Sequence, residues 1–236
     1  MKSLLPHAEL YIMQIIRLLF TIIIVLSLSG CLGRPSVERK DERLHKQQNA
    51  IILHALLEVA RTGDWLVTRG YHSTDSLVSN VTGIPISHVG IINTTTNQVI
   101  EAEGSGVHLS DLYDFIDKSY RLLIIRPRWQ SPENMMLAWL EAEKLVGKDY
   151  DFLGTIGFDY PHRYYCSELA IAIYQQWFIG NERFPQVIKP GELYLYGTIM
   201  YDSLPRDEIM TNVEMDEIST KMIDQTETSL DAAPIL

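Results

Sequence analysis

Residues 87–107, SHVGIINTTTNQVIEAEGSGV, carry the clearest secondary-structure signal in the chain. Two runs rich in β-branched residues, 88–92 and 98–103, flank a polar turn of threonine and asparagine, which is the pattern of a β-hairpin. Helical and strand-like segments surround this hairpin on both sides. Their order, a helix, then several strands, then further helices, predicts an α+β domain in which an antiparallel sheet packs against helices.

The segments outside the hairpin predict one element or turn each. They are a helix over 47–61, a turn and short strand over 62–70, a long loop with at most one helical turn over 71–85, a short helix over 109–116, a buried strand over 120–127, a helix over 134–146 capped by Ser131, a helix over 166–178, and a turn before a last strand over 189–197. The folded domain is therefore expected within residues 47–205.

The N-terminal segment has the pattern of a secretory signal. A charged flank precedes the apolar run of residues 15–28, which is shorter than the ~20 residues of a membrane-spanning helix, and small residues follow it. The end of the run, LSLSGC, resembles the lipobox of bacterial lipoproteins. That resemblance implies a signal peptide over 1–30, translation from Met1 or Met13, and a lipidated Cys31 with a tether up to residue 46. The alternative is an uncleaved anchor helix.

Leu32 follows the lipobox cysteine where an inner-membrane lipoprotein would carry aspartate. By the usual sorting pattern this implies an outer-membrane, periplasm-facing location in a Gram-negative bacterium. The formal net charge of -10 and the lack of a basic stripe argue against nucleic acid as a partner. Residues 206–236 are acidic and lack aromatic side chains, which predicts a disordered tail.

The chain has two cysteines, so a lipidated Cys31 leaves Cys166 unpaired. Cys166 opens the predicted helix in HRYYCSELAIAIYQQW, residues 162–177. A helix N-terminus favours anions because of the helix dipole and its free N–H groups, and a thiolate there is a nucleophile. The alternative is an inert core cysteine, because Leu169, Ala170 and Ile173 give the same helix a buried face.

His88 is the histidine best placed to act with Cys166. It opens a strand, where it shares a face with Gly90 and Ile92, and the alternative is a half-buried structural histidine. On the second strand of the hairpin, Glu101 and Glu103 share one face, so either carboxylate can lie opposite or diagonal to His88. Alternation alone does not choose between the two.

Four segments, GDWLVTRG, SHVGII, VIEAEGSGV and YYCSEL, resemble in order and spacing the circularly permuted papain-like amidases related to NlpC, in the YaeF/YiiX-type group. The resemblance covers about residues 62–200. It implies the circularly permuted papain-like fold, with Cys166 as nucleophile, His88 as general base and Glu101 as the orienting residue, Glu103 being the second choice. It also implies that Tyr165 shapes the substrate site.

Asp64 and Trp65 correspond to the opening strand of that family. The alternative for these two residues is turn chemistry and core packing. The resemblance further implies amide hydrolysis without a cofactor, and the predicted location puts cell-wall peptides and other periplasmic amides within reach.

Three alternatives to the amidase prediction stay open at this point. One is a lipid acyltransferase or phospholipase that uses the same site. Another is a binding lipoprotein without catalysis. A metal site built from His72, His88, His108 and Cys166 is the third, although the sequence lacks the tight ligand spacing that such sites show, and we expect no metal.

Overall fold

The computed structural model describes residues 13–21, 37–180 and 182–206. The predicted signal peptide lies outside the described residues except for a helical segment over 13–21, and so do Cys31 and the acidic tail from residue 207 onward. Across the described ranges, none of the helices is both long enough and apolar enough to cross a membrane.

A six-stranded antiparallel sheet forms the centre of the domain, with the strand order β4-β3-β2-β1-β5-β6. Its strands are β1 (Trp65–Gly70), β2 (His88–Asn93), β3 (Gln98–Glu103), β4 (Gly106–Asp111), β5 (Ser119–Pro127) and β6 (Gly197–Asp202). The helices after residue 37 are α1 (Glu42–Val59), α2 (Ser73–Thr82), α3 (Leu112–Asp117), α4 (Pro132–Leu145) and α5 (Cys166–Ala172), with 3-10 turns at Gly154–Ile156, Gln175–Trp177 and Pro190–Tyr196. The predicted α+β class is confirmed.

The two faces of the sheet bury different sets of side chains, because successive residues of a strand alternate between faces. A larger cluster joins one face to α4 and α5, and Trp65, Trp139 and Cys166 belong to it. A smaller cluster joins the other face to α1 and α3, and it contains Leu56 and Phe115. The sheet is therefore the middle of three layers.

The start of the domain differs from the prediction. α1 begins at Glu42, where the Asp41 side chain caps it by accepting from the Leu44 N–H at 3.0 Å. His45, predicted in the tether, is 3% exposed, and its Nε2 lies 3.1 Å from an Asp117 carboxylate oxygen. Residues 42–46 therefore belong to the fold, since the buried polar face of α1 finds its partners far away in the chain.

The end of the domain differs for the same reason. Arg206, predicted as the first residue of the tail, is 5% exposed. Its guanidinium donates to the Ser119 carbonyl at 2.7 Å, to the Asn49 side chain at 2.7 Å and to the His45 carbonyl at 3.3 Å. Its own carbonyl accepts from the Gln48 side chain at 3.0 Å. The first and last parts of the domain are thus hydrogen-bonded to one another.

Three internal elements also differ from the prediction. The segment expected to be a long loop forms α2, ten residues long, which ends at Gly83 in the left-handed region with φ of 71°. Residues 106–111 form β4, which was not predicted. α5 ends at Ala172 and gives way to a 3-10 turn, whereas a helix to residue 178 was expected.

Asp64 has a structural role in this domain. It is fully buried, and its carboxylate accepts two hydrogen bonds from Arg126, at 2.8 and 3.1 Å, and one from the Arg61 N–H at 2.8 Å. Burial raises the pKa of Asp64, and Arg126 opposes that effect. The contacts favour turn chemistry and packing as the role of Asp64, which ties the start of β1 to the end of β5.

Candidate active site

His88 and Glu101 meet on one face of the β2–β3 hairpin. Gly90 pairs with Glu101 across the two strands, so His88 lies diagonal to the carboxylate. The distance from His88 Nε2 to Glu101 Oε2 is 2.6 Å. Of the two glutamates that the sequence left open, the structure therefore brings Glu101 to the imidazole. The side chain of Glu103 is 42% exposed and contacts Lys118.

Glu101 is completely buried and fully engaged. Its Oε2 faces His88, while its Oε1 accepts from the Ser110 hydroxyl at 2.5 Å and from the Lys118 ammonium at 2.7 Å. Burial alone would raise the pKa of this carboxyl, but the hydrogen bonds and positive charges of His88 and Lys118 lower it well below its usual range. Glu101 is therefore held as a carboxylate.

Cys166 completes the group. It is the first residue of α5, is 5% exposed, and belongs to the larger cluster, on the opposite side of the sheet from Phe115. His88 is the first residue of β2, and at this end of the strand its ring is within hydrogen-bonding range of the Cys166 side chain. Since Nε2 of His88 is used by Glu101, Nδ1 is the nitrogen left for the sulfur.

The protonation of His88 follows from these neighbours. Burial lowers its pKa, but the hydrogen bonds and negative charges of Cys166 and Glu101 outweigh burial and raise the pKa to about 10. The imidazole is therefore a cation at neutral pH when both partners are anionic. A fixed imidazolium beside sulfur is the arrangement that keeps a thiolate ready to attack a carbonyl carbon.

A glycine leaves room for the ring of Phe115 beneath this site. A Cβ on Gly90 would lie 2.4 Å from a Val99 methyl carbon and 2.9 Å from Phe115 Cε2. The Phe115 ring centroid lies 6.1 Å from that of His88. Gly90 thus allows α3 to pack close enough to the sheet to support the imidazole from below.

The first turn of α5 and its N-cap residue, Tyr165, are tied to a second loop. Ser167 donates to the Ile188 carbonyl at 2.6 Å, and the Ile188 N–H donates to the Tyr165 hydroxyl at 3.0 Å. Tyr165 is 6% exposed, so these hydrogen bonds fix the loop beside the cysteine. A contact between Tyr165 and substrate stays a prediction.

An apolar loop precedes the cysteine helix in the chain. The buried Asp151 carboxylate accepts from the backbone N–H of Gly154 at 2.8 Å and of Tyr160 at 3.0 Å, which folds the segment back on itself. The loop carries three highly exposed apolar side chains, Phe152, Ile156 and Phe158. Such an exposed apolar patch is typical of a binding surface.

One group of potential metal-ligand atoms overlaps the site. His88, Glu101 and Glu103 each place one such atom within 4.8 Å of the others. The Lys118 ammonium lies 2.7 Å from Glu101 and 2.8 Å from Glu103, so the protein itself supplies a positive charge between the two carboxylates. These residues are engaged as an ion-pair network.

Sequence reasoning missed Ser110 and Lys118, and it named His108 only as part of the alternative metal site. Ser110 and His108 lie on β4, whose register places them opposite Val99 and Glu101. The alternation of apolar Val107 and Leu109 with these two polar residues was the available signal for that strand. Lys118 has no such signal, because only the packing of α3 against the sheet brings it near.

The fold and the site together define a papain-like amidase domain in which the histidine precedes the cysteine in the chain, the permuted order. The chain belongs to the family of permuted papain-like amidase enzymes, YaeF/YiiX, C92, whose sequence profile matches residues 60–187, more than half of the chain. The membership supports amide hydrolysis as the class of activity and confirms the predicted fold.

One similar solved structure is described as the metalloprotein YiiX from Escherichia coli O157:H7. It is 26% identical over 49% of this chain, with a TM-score of 0.42. The match spans 65% of that protein's chain, just under two thirds of its length. A comparison with curated proteins gave no match.

Proposed function

We propose that the protein is a thiol-dependent amide hydrolase with a Cys166–His88–Glu101 acyl-enzyme mechanism. One observation carries the proposal: the imidazole of His88 lies between a buried carboxylate, 2.6 Å from Nε2, and the side chain of Cys166. In such an arrangement the carboxylate orients the ring and stabilises the imidazolium, and the ring in turn activates the nucleophile.

The steps follow from these positions. The Cys166 thiolate attacks the amide carbonyl carbon, and the His88 imidazolium then gives its proton to the departing amine as the C–N bond breaks, which leaves a thioester. Neutral His88 takes a proton from water, whose oxygen attacks the thioester carbon. The acid product leaves, and the thiolate and imidazolium are restored. Glu101 stays ionised throughout, since its role is to orient the ring.

The substrate and the location form part of the same proposal. A lipid on Cys31 would tether the domain to the outer membrane on its periplasmic side, where peptidoglycan peptides and other amides are within reach. Neither a cofactor nor a nucleic-acid partner is required by the steps above.

The first test uses the full chain, purified in non-ionic detergent, with muropeptides from digested sacculi as the probe. New amino groups are followed by liquid chromatography and mass spectrometry. We expect Cys166→Ala and Cys166→Ser to abolish turnover while the circular dichroism spectrum stays unchanged. The matched control, Cys31→Ala, should keep turnover and move the protein from the membrane to the soluble fraction. Full turnover by folded Cys166→Ala would contradict the mechanism.

A second candidate, a lipid acyltransferase or phospholipase on the same site, draws on the exposed side chains of Phe152, Ile156 and Phe158. Vesicles of phosphatidylethanolamine and phosphatidylglycerol provide the probe, with release of fatty acid or lyso-lipid as the readout. Release that needs Cys166 and falls in the double variant Phe152→Ser/Phe158→Ser would favour lipid. Peptide turnover that is indifferent to the double variant would favour the amidase.

A further inference from the structure

The two oxygens of the Glu101 carboxylate have different tasks. Oε2 lies 2.6 Å from His88 Nε2, and Oε1 lies 2.7 Å from the Lys118 ammonium. The Ser110 hydroxyl also donates to Oε1, at 2.5 Å. Because Glu101 is completely buried, water cannot replace a lost partner without opening the site. Lys118 and Ser110, which bind Oε1, therefore hold the Glu101 side chain in the rotamer that places Oε2 beside His88.

Lys118 is itself held by its surroundings. It is the C-cap residue of α3, and its backbone N–H donates to the Asp114 carbonyl at 3.1 Å. Its ammonium lies 5.3 Å from the centre of the Phe115 ring and 2.8 Å from a carboxylate oxygen of Glu103. The side chain is 27% exposed, so solvent screens its charge only partly.

We propose that Lys118 is a positioning residue of this site, which fixes Glu101 toward His88 and offsets the negative charge that His88 experiences. Its effect on turnover rests on the proposed function, whereas its effect on His88 does not. The ionisable groups that face His88, directly or through Glu101, come from several elements. They are Glu101 and Glu103 on β3, His108 on β4 at 3.8 Å from Glu101, Lys118 after α3, and Cys166 on α5.

The positive charge of Lys118 matters because His88 acts as an acid in the first half of the reaction cycle and as a base in the second. It must carry a proton while the amine leaves, and it must be neutral to accept a proton from water in the second half. Two uncompensated carboxylates would hold the proton on the ring and slow the second half. The positive charge of Lys118 counteracts this by making the imidazolium less favourable, and it keeps Glu101 ionised as well.

The test is a nuclear magnetic resonance titration of His88 in the full chain in detergent, with ¹⁵N-labelled histidine and with His88→Asn to assign the signal. We expect Lys118→Met to raise the titration midpoint of His88 by about one pH unit. Lys118→Arg keeps the charge and should stay close to the wild-type midpoint. Lys144→Met, which removes an exposed lysine of α4, is the matched control. An unchanged or lower midpoint in folded Lys118→Met, or a raised one in Lys118→Arg, would overturn the proposal.

A kinetic measurement separates this proposal from the proposed function. With para-nitrophenyl acetate as the acyl donor, we expect Lys118→Met to lower kcat at pH 8 by up to about 10-fold, because a midpoint one unit higher leaves up to about ten times less neutral His88 to activate water. KM should fall together with kcat, because the slowed step is the hydrolysis of the acyl-enzyme. The acyl-enzyme should then accumulate and be detected by mass spectrometry. If the wild-type chain forms no acyl-enzyme on Cys166 but the His88 midpoint still rises in Lys118→Met, the proposed function fails and the role of Lys118 stands. Turnover in the wild type together with an unchanged kcat in Lys118→Met overturns the role of Lys118.

Discussion

Replacing Glu101 with glutamine tests the electrostatic basis of the site directly. The variant keeps the shape of the side chain and removes its charge, 2.6 Å from His88 Nε2. At this distance and an effective dielectric constant of about 20, the interaction of two unit charges is ~6 kcal/mol. Since one pKa unit corresponds to about 1.4 kcal/mol, the titration midpoint of His88 should fall by roughly two to four pH units, the lower figure allowing for the hydrogen bond that an amide retains.

The assay is the rate of Cys166 alkylation by iodoacetamide between pH 5 and pH 10, measured on the peptide that carries Cys166. In the wild type, the raised pKa of His88, about 10, keeps an imidazolium beside the sulfur across neutral pH, so we expect a rate that is nearly constant from about pH 6 to pH 9. In Glu101→Gln the rate at pH 7 should be roughly 10- to 100-fold lower and should climb steeply with pH.

Glu103→Gln is the matched control, because Glu103 lies on the same face of β3 but is 42% exposed and contacts Lys118. It should keep the nearly constant profile. A Glu101→Gln profile that is indistinguishable from that of the wild type would refute the reasoning, and so would a loss of the constant profile in Glu103→Gln alone, which would make Glu103 the orienting residue.

Two further predictions concern stability. Gly90→Ala should lower the free energy of unfolding, measured in urea, by about 1–3 kcal/mol, because the new methyl group would lie 2.4 Å from a Val99 carbon and 2.9 Å from a Phe115 carbon. Gly104→Ala is the control, since the nearest atom to its methyl group lies at 3.5 Å. An equal loss of stability in both variants would count against this packing. Burial raises the pKa of Glu168 to about 7, so the folded state loses stability as the pH rises from the ordinary glutamate value toward 7. Glu168→Gln should therefore melt about 2–4 °C higher than the wild type at pH 8.5 and at the same temperature near pH 4.5, and a lower melting temperature at pH 8.5 would refute this.

The hairpin shows what a sequence pattern can predict in this protein. The alternation of residues 98–103 placed Glu101 and Glu103 on one face, and both strand bounds of β3 were predicted correctly. The choice between the glutamates needed the register, in which Gly90 pairs with Glu101. Register depends on the turn and on the burial of both faces, and neither can be measured from one strand alone.

Long-range polar contacts account for most of what was missed. The buried face of α1 carries His45, Gln48 and Asn49, which break the apolar periodicity that predicts a helix. Their partners are Asp117 and Arg206, far away in the sequence. Lys118 was missed for the same reason, since its position depends on how α3 packs against the sheet.

Arg206 is hydrogen-bonded to the first turns of α1, so the two ends of the domain lie side by side and the path of the chain is nearly a closed ring. A short linker from Arg206 to Asp41 would complete the ring, and a break between β5 and α4, at residues 128–131, would open it elsewhere without cutting a strand or a helix. In that rearranged chain Cys166 would precede His88, the order of ordinary papain-like enzymes. The six-stranded sheet would keep every one of its pairings, so the order of Cys166 and His88 along the chain and their arrangement in space are separate properties of this architecture.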